Sequence, residues 1–278
     1  MARITIPEAD ELLDKELRVL NKGFVRLIDY MGGDERIVQA ARVSYGAGTK
    51  TVREDRDLIF YLLRNKHTSP FEQVVLTFHL KMPIFVARQW VRHRTARMNE
   101  ISGRYSVLSD EFYLPELKAV RPQNKHNKQG RSEDEIDPTI QSEFIASIAE
   151  SQKELYQRYS EYVKSDIARE LARINLPLSI YTEFYWQMDL HNLFHFLNLR
   201  LNLHAQEEIR SYAVVLSSCV QAVAPLAYAA FQEYVLYSQS FSRAEMQALV
   251  ELINGNEQNQ LEGRYLQEFL SKLGKTNS

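Results

Sequence analysis

The periodicity of apolar residues changes along this chain, and that change limits the folds open to it more than any other feature. Before Arg121, segments that alternate apolar and polar residues lie between segments with helical spacing. From Thr139 the spacing is helical nearly to Tyr237, with a break around Pro177. The pattern predicts an α+β (mixed α/β) fold, with an antiparallel-type sheet, flanking helices and a helical C-terminal half.

Five segments before Arg121 carry this prediction. Two alternate as strands do: "GFVRLIDYMGG" (23–33) and "VVLTFHLKM" (74–82). Three have helical spacing: "DERIVQAARVSYG" (34–46), "DRDLIFYLLRNKH" (55–67) and "PIFVARQWVRHR" (83–94), the last with Pro83 in its first turn. Because no GxGxxG sequence follows a predicted strand, a dinucleotide-binding Rossmann sheet is not expected.

A polar segment without periodicity, residues 121–138, separates the mixed half from the helical half. Its sequence, "RPQNKHNKQGRSEDEIDP", predicts an exposed insertion and not a linker between independent domains. We therefore expect one domain over residues 1–242 that contains this insertion. Residues 243–278 are amphipathic and predict a separate C-terminal appendage, whose function the sequence leaves open.

Charge and cysteine content exclude several classes of protein. The formal net charge is −2, so the chain lacks the general basic surface of a nucleic-acid-binding protein. The single cysteine, Cys219, cannot form an intramolecular disulfide and fits a reducing compartment, so we expect a cytoplasmic protein. The longest apolar run, from Tyr212, is interrupted by Pro225 and polar residues, which predicts a buried helix and no membrane span. The N-terminal segment also lacks the apolar region of a signal peptide.

Cationic side chains are concentrated in "RHRTARMNEISGRY", residues 92–105. Arg92, Arg94 and Arg104 each offer a planar guanidinium to phosphate or carboxylate, and Ser102 with the backbone of Gly103 adds short-range donors. A solvated basic helix end is the alternative, but it explains neither the glycine nor the adjacent Tyr105. Since the excess of cation is local, we predict a site for a discrete anionic ligand.

A second cluster of polar residues lies in "DLHNLFHFLNLRLNLHAQ", residues 189–206, where Asp189 is a good helix N-cap residue. A helical wheel places His191 and His195 on a polar stripe with Asn198 and Asn202, whereas Arg200 and His204 fall among leucines. The stripe is equally compatible with simple solvation. An unpaired buried guanidinium is costly, so Arg200 should reach water or meet an anion or polar ligand. A metal held by His191, His195 and either His204 or Glu207 has weak support, and no metal site is predicted.

The sequence offers no activated nucleophile. Cys219 lies in a helix of alanine, valine and leucine, where no histidine or arginine within a turn favours a thiolate. Ser102 has arginine neighbours, which cannot accept its proton, so donation to a phosphate or a base carbonyl is the expected use.

The segment 92–105 resembles the signature of the flavin-dependent thymidylate synthases, an Arg-His-Arg triplet followed by seven residues and Ser102. The segments "AARVSYG", "HTSPFEQVVLTFHLKMPIFVARQW", "ARINLPLSIYTEFYW" and "FLNLRLNLHAQEEI" are similar to further blocks of that family, in the family's order, over roughly Asn21 to Tyr237. Two positions differ, since Arg97 stands where the family usually has Ser and Ser69 where it often has Thr. The insertion and the tail have no assigned counterpart.

The resemblance implies reductive methylation of dUMP to dTMP. Methylenetetrahydrofolate would supply the carbon, NADPH would reduce FAD, and the reduced flavin would supply hydride, without an enzyme nucleophile. It also implies a homotetramer whose active sites draw residues from more than one subunit.

Site residues follow from the resemblance position by position. The expected FAD-binding residues are Ser44, Ser69, Glu72, Arg92, His93, Arg94, Glu100, Asp189, Leu190, His191 and His195. The expected dUMP-binding residues are Gln89, Arg92, Glu100, Ile101, Ser102, Gly103, Arg104, Arg173 and Arg200. Arg200 matches the arginine that promotes ionisation of the uracil ring, and is the expected catalytic residue.

Two other functions remain open from the sequence. In one, the arginine cluster binds RNA phosphates and aromatic side chains stack on bases, which a steep loss of affinity with salt would reveal. In the other, the protein is a flavoprotein with another pyrimidine or folate substrate, because fold and cofactor do not fix the chemistry.

Overall fold

The computed structural model describes residues 4–43, 52–125, 130–256 and 260–274 of the 278-residue chain. The chain divides into two compact units, Met1–Ala230 and Phe231–Ser278. The boundary predicted at Ser242 stays a prediction, and the two units are described separately.

Within the described residues, the first unit contains an antiparallel sheet of five strands in the order β1-β2-β3-β5-β4. The strands are β1 (Glu16–Val19), β2 (Gly23–Met31), β3 (Val75–Pro83), β4 (Arg97–Glu100) and β5 (Tyr181–Asp189). In the central pair β3 and β5, Val75 lies opposite Asp189 and Pro83 opposite Tyr181, so the two strands align over their whole length.

Helices flank this sheet and fill most of the chain after it. The α-helices are α1 (Pro7–Asp10), α2 (Asp34–Arg42), α3 (Val52–Arg64), α4 (Ile84–Trp90), α5 (Pro138–Lys164), α6 (Arg169–Ala172), α7 (Leu190–Arg200), α8 (Glu207–Val223), α9 (Pro225–Phe231), α10 (Arg243–Ile253) and α11 (Gly263–Lys272). Short 3-10 turns occur at Phe71–Gln73, Leu117–Ala119 and Arg173–Asn175, and a π-helical turn at Gln232–Leu236. The described helices are all too short or too polar to cross a membrane. The predicted α+β fold class is confirmed.

Buried and half-exposed residues alternate along β3, so one face of the sheet belongs to the core. In β3, Leu76, Phe78, Leu80 and Met82 are fully buried, while the intervening positions are half-exposed. An aromatic cluster extends this core towards the helices, with Trp90 of α4 packed against Phe196 of α7 at 4.5 Å between ring centroids. Each such large side chain contributes about 1.5–3 kcal/mol when fully buried. This cluster therefore fixes α4 and α7 against the sheet and against each other.

Strand β5 corrects the prediction that residues 139–237 are helical apart from one break. Its buried residues, Phe184, Trp186 and Met188, alternate with more exposed ones. Aromatic residues at every second position are typical of strands, so the signal was present in "YTEFYWQMD" but was hidden between helical segments. The short edge strand β4 was also missed, since its four exposed residues carry no apolar alternation.

Pro83 lies outside the helix that was predicted to contain it. It is the last residue of β3 and the N-cap of α4, with extended backbone at ψ 145°. The helix then ends at Trp90, earlier than the predicted Arg94, so the Arg-His-Arg triplet follows the helix and does not belong to it. The main-chain turn frees His93 to point back towards α7.

The described part of the insertion, residues 121–125 and 130–138, is anchored to the fold. Gln123 and Arg131 form an antiparallel bridge, and Arg131 contacts Glu207 and the buried Glu208 at the start of α8. Its end leads into α5, whose N-cap Asp137 accepts a hydrogen bond from the Thr139 amide. The expectation of a merely exposed loop is therefore wrong at Arg131.

The second unit contains α10 and α11. Ser242 and Glu245 form a reciprocal capping box at the start of α10. Glu245 also pairs with Lys272 at 2.6 Å, and the rings of Phe241 and Phe269 lie 6.3 Å apart. These contacts join the two helices into a small unit of their own.

Candidate active site

The central contact of the site joins the Arg-His-Arg triplet to α7. The Nε of Arg200 donates a hydrogen bond of 3.0 Å to Nε2 of His93, across 107 positions of sequence. Both side chains are half-buried, and no carboxylate of the described residues pairs with Arg200. The sequence-based requirement for a polar partner is thus met by His93, and the outer nitrogens of the guanidinium are left for a ligand.

His93 is held in its neutral form. Burial, then the charge of Arg200, then His195 lower its pKa from 6.5 to about 4. Because Nε2 accepts from Arg200, the proton of the neutral ring must be on Nδ1. Burial also lowers the pKa of Arg200, although arginine stays charged at neutral pH. The pair is therefore a fixed cation beside a neutral imidazole that faces it with a lone pair.

The start of α7 carries the predicted residues Asp189, Leu190, His191 and His195. Both carboxylate oxygens of Asp189 accept from Asn192, one from its amide at 3.0 Å and one from its side chain at 2.7 Å. Leu190 is fully buried, so of the four it cannot offer its side chain to a cofactor. The exposed His195 ring lies 6.1 Å from that of His93, which places the polar stripe of α7 beside the Arg-His-Arg triplet.

The wheel prediction fails beyond Arg200. Helix α7 ends there, and Asn202 and His204 lie in the following turn, where the Asn202 side chain accepts from the His204 amide at 2.9 Å. His204 therefore does not share a helical face with Arg200. Among the described residues, no three His, Cys, Asp or Glu side chains come close enough to hold a metal ion.

Ser69 and Glu72 lie at the turn that precedes β3. Both are exposed, and Glu72 accepts a long hydrogen bond from Thr68 at 3.5 Å. Their 3-10 turn packs against α7, since Phe71 and Phe194 have ring centroids 6.3 Å apart. Ser44, also predicted to bind FAD, lies outside the described residues.

The exposed arginines of the triplet are available to an anion. Arg92, Arg94 and Arg97 are all exposed, and no carboxylate within the described ranges pairs with them. Arg97 lies on β4 opposite Gln187, so the long cation that replaces the family's usual serine extends from the sheet edge.

Residues 100–104 run from β4 into a turn that contacts Arg173. No arginine in the described part of the chain pairs with Glu100, whose carboxylate accepts from Thr182 at 2.6 Å. Thr182 lies on β5 and was missed because that strand was missed. A Cβ added at the buried Gly103 would lie 2.9 Å from Nη1 of Arg173, which shows how closely the turn approaches this guanidinium.

The remaining predicted dUMP residues lie on this turn or, in the case of Gln89, on α4. Ser102 accepts from the Arg104 amide at 3.3 Å, and the Arg104 guanidinium pairs with Glu170 at 3.0 Å, where both side chains are exposed. Ile101 is exposed and donates its amide to the carbonyl of Glu183. Gln89, at the end of α4, donates to Gln206. The structure therefore joins Ser102 to Arg104, whereas Gln89 contacts a residue outside the predicted set.

The sequence of this chain matches a family model and several known proteins. A family model described as "Thymidylate synthase complementing protein" matches residues 26–226. The flavin-dependent thymidylate synthase of Treponema denticola is 59% identical over 261 residues, which cover 94% of this chain and 98% of that relative. The chain belongs to the flavin-dependent thymidylate synthase family. The resemblance found in the sequence is confirmed.

Other members of the family also match this chain over most of its length. The flavin-dependent thymidylate synthase of Treponema pallidum is 56% identical over 273 residues, covering 98% of this chain and 89% of the relative. A second family model, described as "Thymidylate synthase ThyX C-terminal domain", matches residues 240–278. The tail that had no assigned counterpart therefore has one among flavin-dependent thymidylate synthases.

A solved structure shares the fold. The crystal structure of a UMP/dUMP methylase PolB from Streptomyces cacaoi, bound with 5-Br UMP, has a TM-score of 0.71 and 31% identity, covering 81% of this chain and 99% of that chain. The same methylase bound with 5-Br dUMP gives a TM-score of 0.72 at 29% identity, over 80% and 100% of the two chains.

Proposed function

We propose that this enzyme converts dUMP to dTMP, with methylenetetrahydrofolate as carbon donor, FAD as its cofactor and NADPH as the reductant of the flavin. The observation that carries the proposal is the contact of Arg200 with the neutral His93 of the Arg-His-Arg triplet. The names of the relatives and the dUMP analogue bound to PolB support the substrate and the flavin.

The donor set fits FAD. Arg92 and Arg94 are exposed guanidinium groups without an acidic partner among the described residues, and they suit a pyrophosphate. Asp189 already places negative charge at the start of α7, so it would hold hydroxyl or N–H donors of the cofactor. His191 and His195 follow on the same helix, and Ser69, Glu72 and Glu100 complete the proposed set. When bound, FAD would supply the hydride chemistry that no side chain of this protein can supply.

The turn at residues 100–104 is proposed to bind dUMP. Arg104 and Arg173 offer planar forks to its phosphate, and Gly103 allows the backbone to lie against the Arg173 guanidinium. Ser102 adds a short hydroxyl donor, while the backbone of Ile101 is fixed by its hydrogen bond to β5. Arg104 would exchange its exposed pair with Glu170 for the phosphate, at small cost because exposed pairs contribute about 0–1 kcal/mol.

Arg200 is proposed to activate the uracil ring. A fixed cation stabilises the negative charge that grows on the imide as electron density moves towards C5. His93 holds the guanidinium through Nε and leaves its outer nitrogens free for the ring. Cys219 is buried and burial raises its pKa to about 12, so no thiolate is available to attack the ring instead.

We further propose that each active site is shared between subunits of a homotetramer. The proposed flavin side chains Arg92, Arg94 and His195 are exposed in the single chain. A second chain placed against them would shield the cofactor from water.

The test is anaerobic formation of dTMP by the purified protein with FAD, dUMP, methylenetetrahydrofolate and NADPH, compared with mixtures that lack FAD or folate. Product that needs both supports the proposal. Bound flavin that NADPH reduces, without dTMP, would mean another acceptor. A parallel reaction with UMP is the first alternative to try, because PolB is described as a UMP/dUMP methylase.

A further inference from the structure

Glu208 lies outside the proposed ligand-binding residues, yet it is linked to one of them. It is 1% exposed, at the start of α8, and both of its oxygens are occupied. Oε1 accepts from the hydroxyl of Tyr113 at 2.9 Å and from Arg131, and Oε2 accepts from Nε2 of Gln206 at 2.8 Å. Gln206 in turn accepts from Gln89. A buried carboxylate is thus two hydrogen bonds away from a residue proposed to bind dUMP.

The charge of Glu208 fixes which groups donate and which accept in the series of hydrogen bonds from Glu208 through Gln206 to Gln89. An ionised carboxylate only accepts, so Gln206 must turn its NH₂ group towards Glu208. Its carbonyl oxygen then faces Gln89, which must donate its own NH₂ group. The side-chain oxygen of Gln89 is left as an acceptor, and no described residue donates to it.

The charge of Glu208 is secured by the insertion. Burial opposes ionisation, but the hydrogen bonds and charge of Arg131, with the bond from Gln206, outweigh it and lower the pKa of Glu208. Arg131 also pairs with the exposed Glu207 at 2.8 Å. Unlike Glu208, Glu207 makes no hydrogen bond to Gln206 or Gln89 within the described chain.

We propose that Glu208 is a positioning residue for nucleotide binding, which acts through Gln206 to make Gln89 present its carbonyl oxygen to a donor on the pyrimidine nucleotide. This role rests on the proposed function, because Gln89 is there assigned to dUMP. A uracil imide N–H and a ribose hydroxyl are the donors that such an oxygen accepts. The insertion contributes through Arg131, which keeps the carboxylate charged and in place.

The test compares Glu208→Gln with Glu207→Gln in the FAD-loaded full-length enzyme. A carboxamide at 208 can donate, which allows both glutamines to flip and turns the NH₂ group of Gln89 towards the nucleotide. We expect the KM for dUMP to rise about tenfold, the effect of one lost hydrogen bond, with kcat changed less than about twofold. Glu207→Gln removes the same charge beside the same arginine and should leave both constants unchanged.

A double mutant separates positioning from a structural effect. In a Gln89→Ala background, Glu208→Gln should raise the KM further by less than about twofold, because the residue through which it acts is gone. Should Glu208→Gln fail to fold, Gln206→Met interrupts the same chain, leaves the contacts of Glu208 with Arg131 and Tyr113 intact, and is expected to raise the KM equally.

The outcomes are distinct. Equal effects of Glu208→Gln with and without Gln89, or an equal effect of Glu207→Gln, would overturn the positioning role. The positioning role would also be overturned if the wild type makes dTMP and both Glu208→Gln and Gln206→Met have the wild-type KM. In that case the proposed function would still stand. If the wild type neither makes dTMP nor binds dUMP by calorimetry, the proposed function fails and the role of Glu208 fails with it.

Discussion

Replacing Arg200 by Met removes its charge while keeping most of its apolar volume, and it tests the contact on which the proposed mechanism depends. His93 loses a hydrogen-bond donor and a cation at 3.0 Å. Burial is the larger cause of its low pKa and stays in place, so the arginine accounts for less than half of the fall from 6.5 to about 4. That share is roughly one pH unit, or ~1.4 kcal/mol.

A Coulomb calculation gives a similar magnitude. Two charges about 4 Å apart interact by about 1 kcal/mol in water and about 4 kcal/mol near a protein surface. The contact is half-buried, so its value lies between these two figures. We therefore expect the pKa of His93 to rise above about 4 in Arg200→Met and to stay below 6.5, because burial remains.

The pKa is measured by NMR of histidine labelled at Cε1, with the His93 signal assigned from a His93→Gln variant. Arg88→Met is the matched control, because it removes an exposed cation from α4 and should leave the titration unchanged. In the same preparation, the kcat for dTMP formation should fall about 100- to 1,000-fold, as expected when a group that stabilises developing charge is lost. FAD affinity should change far less.

Each readout can contradict the reasoning separately. A His93 that still titrates near 4 in Arg200→Met would mean that burial alone sets its pKa. Turnover at the wild-type rate would refute the activating role of Arg200. Loss of bound flavin in parallel with loss of turnover would mean that Arg200 binds the cofactor and not the substrate.

Three further predictions concern assembly, stability and the thiol. Mixed tetramers of Arg92→Ala and Arg200→Ala should recover roughly a quarter of wild-type activity if the Arg92 and the Arg200 of one site come from different subunits, and no recovery in verified mixed tetramers would refute that division of the site. Burial raises the pKa of Asp34 to about 6 even though it accepts from the amides of Leu226 and Ala227, so its folded form binds a proton more tightly than the unfolded chain. The free energy of unfolding should therefore fall by about 2 kcal/mol from pH 4 to pH 6 relative to Asp34→Asn, and chemical denaturation showing parallel pH profiles would contradict it. Cys219→Ala should keep full turnover, and a thiol reagent should label the native protein only after unfolding; inactivation by labelling of the folded enzyme would restore a cysteine mechanism.

The local sequence pattern predicted the elements with strong periodicity. It did not predict the elements whose formation depends on tertiary contacts. Strands β2 and β3 were predicted because buried and exposed residues alternate along them. Strand β4 has four exposed residues and exists because β5 supplies its partner, as in the pairing of Glu100 with Phe184. Without β5, the partner of Glu100 and the path of the turn at residues 100–104 could not be predicted.

For the proposed site, the sequence indicated which residue types to examine but not the contacts that they make. The leucine-rich surroundings of Arg200 showed that it needed a partner, since an unpaired buried cation is unstable. That the partner is His93 follows from a chain turn after Trp90 and from the packing of α4 on α7, neither of which periodicity encodes. Arg131 was assigned to a solvated insertion because the buried Glu208 that binds it lies far along the chain, where periodicity gives no sign of the contact.

The exposure of the proposed site is itself an argument for a shared active site. Arg92, Arg94 and His195 face solvent in the single chain, although electrostatic and hydride chemistry both gain from exclusion of water. Next to the proposed nucleotide turn, Tyr105 and Ile174 are each 77% exposed, so they offer aromatic and aliphatic area to a second chain. A second chain placed over this surface would bury the aromatic and aliphatic groups and exclude water from the arginines at the same time. A monomeric variant should therefore retain the fold and the Arg200–His93 contact but lose turnover, and a fully active monomer, shown by sedimentation at assay concentration, would contradict this account.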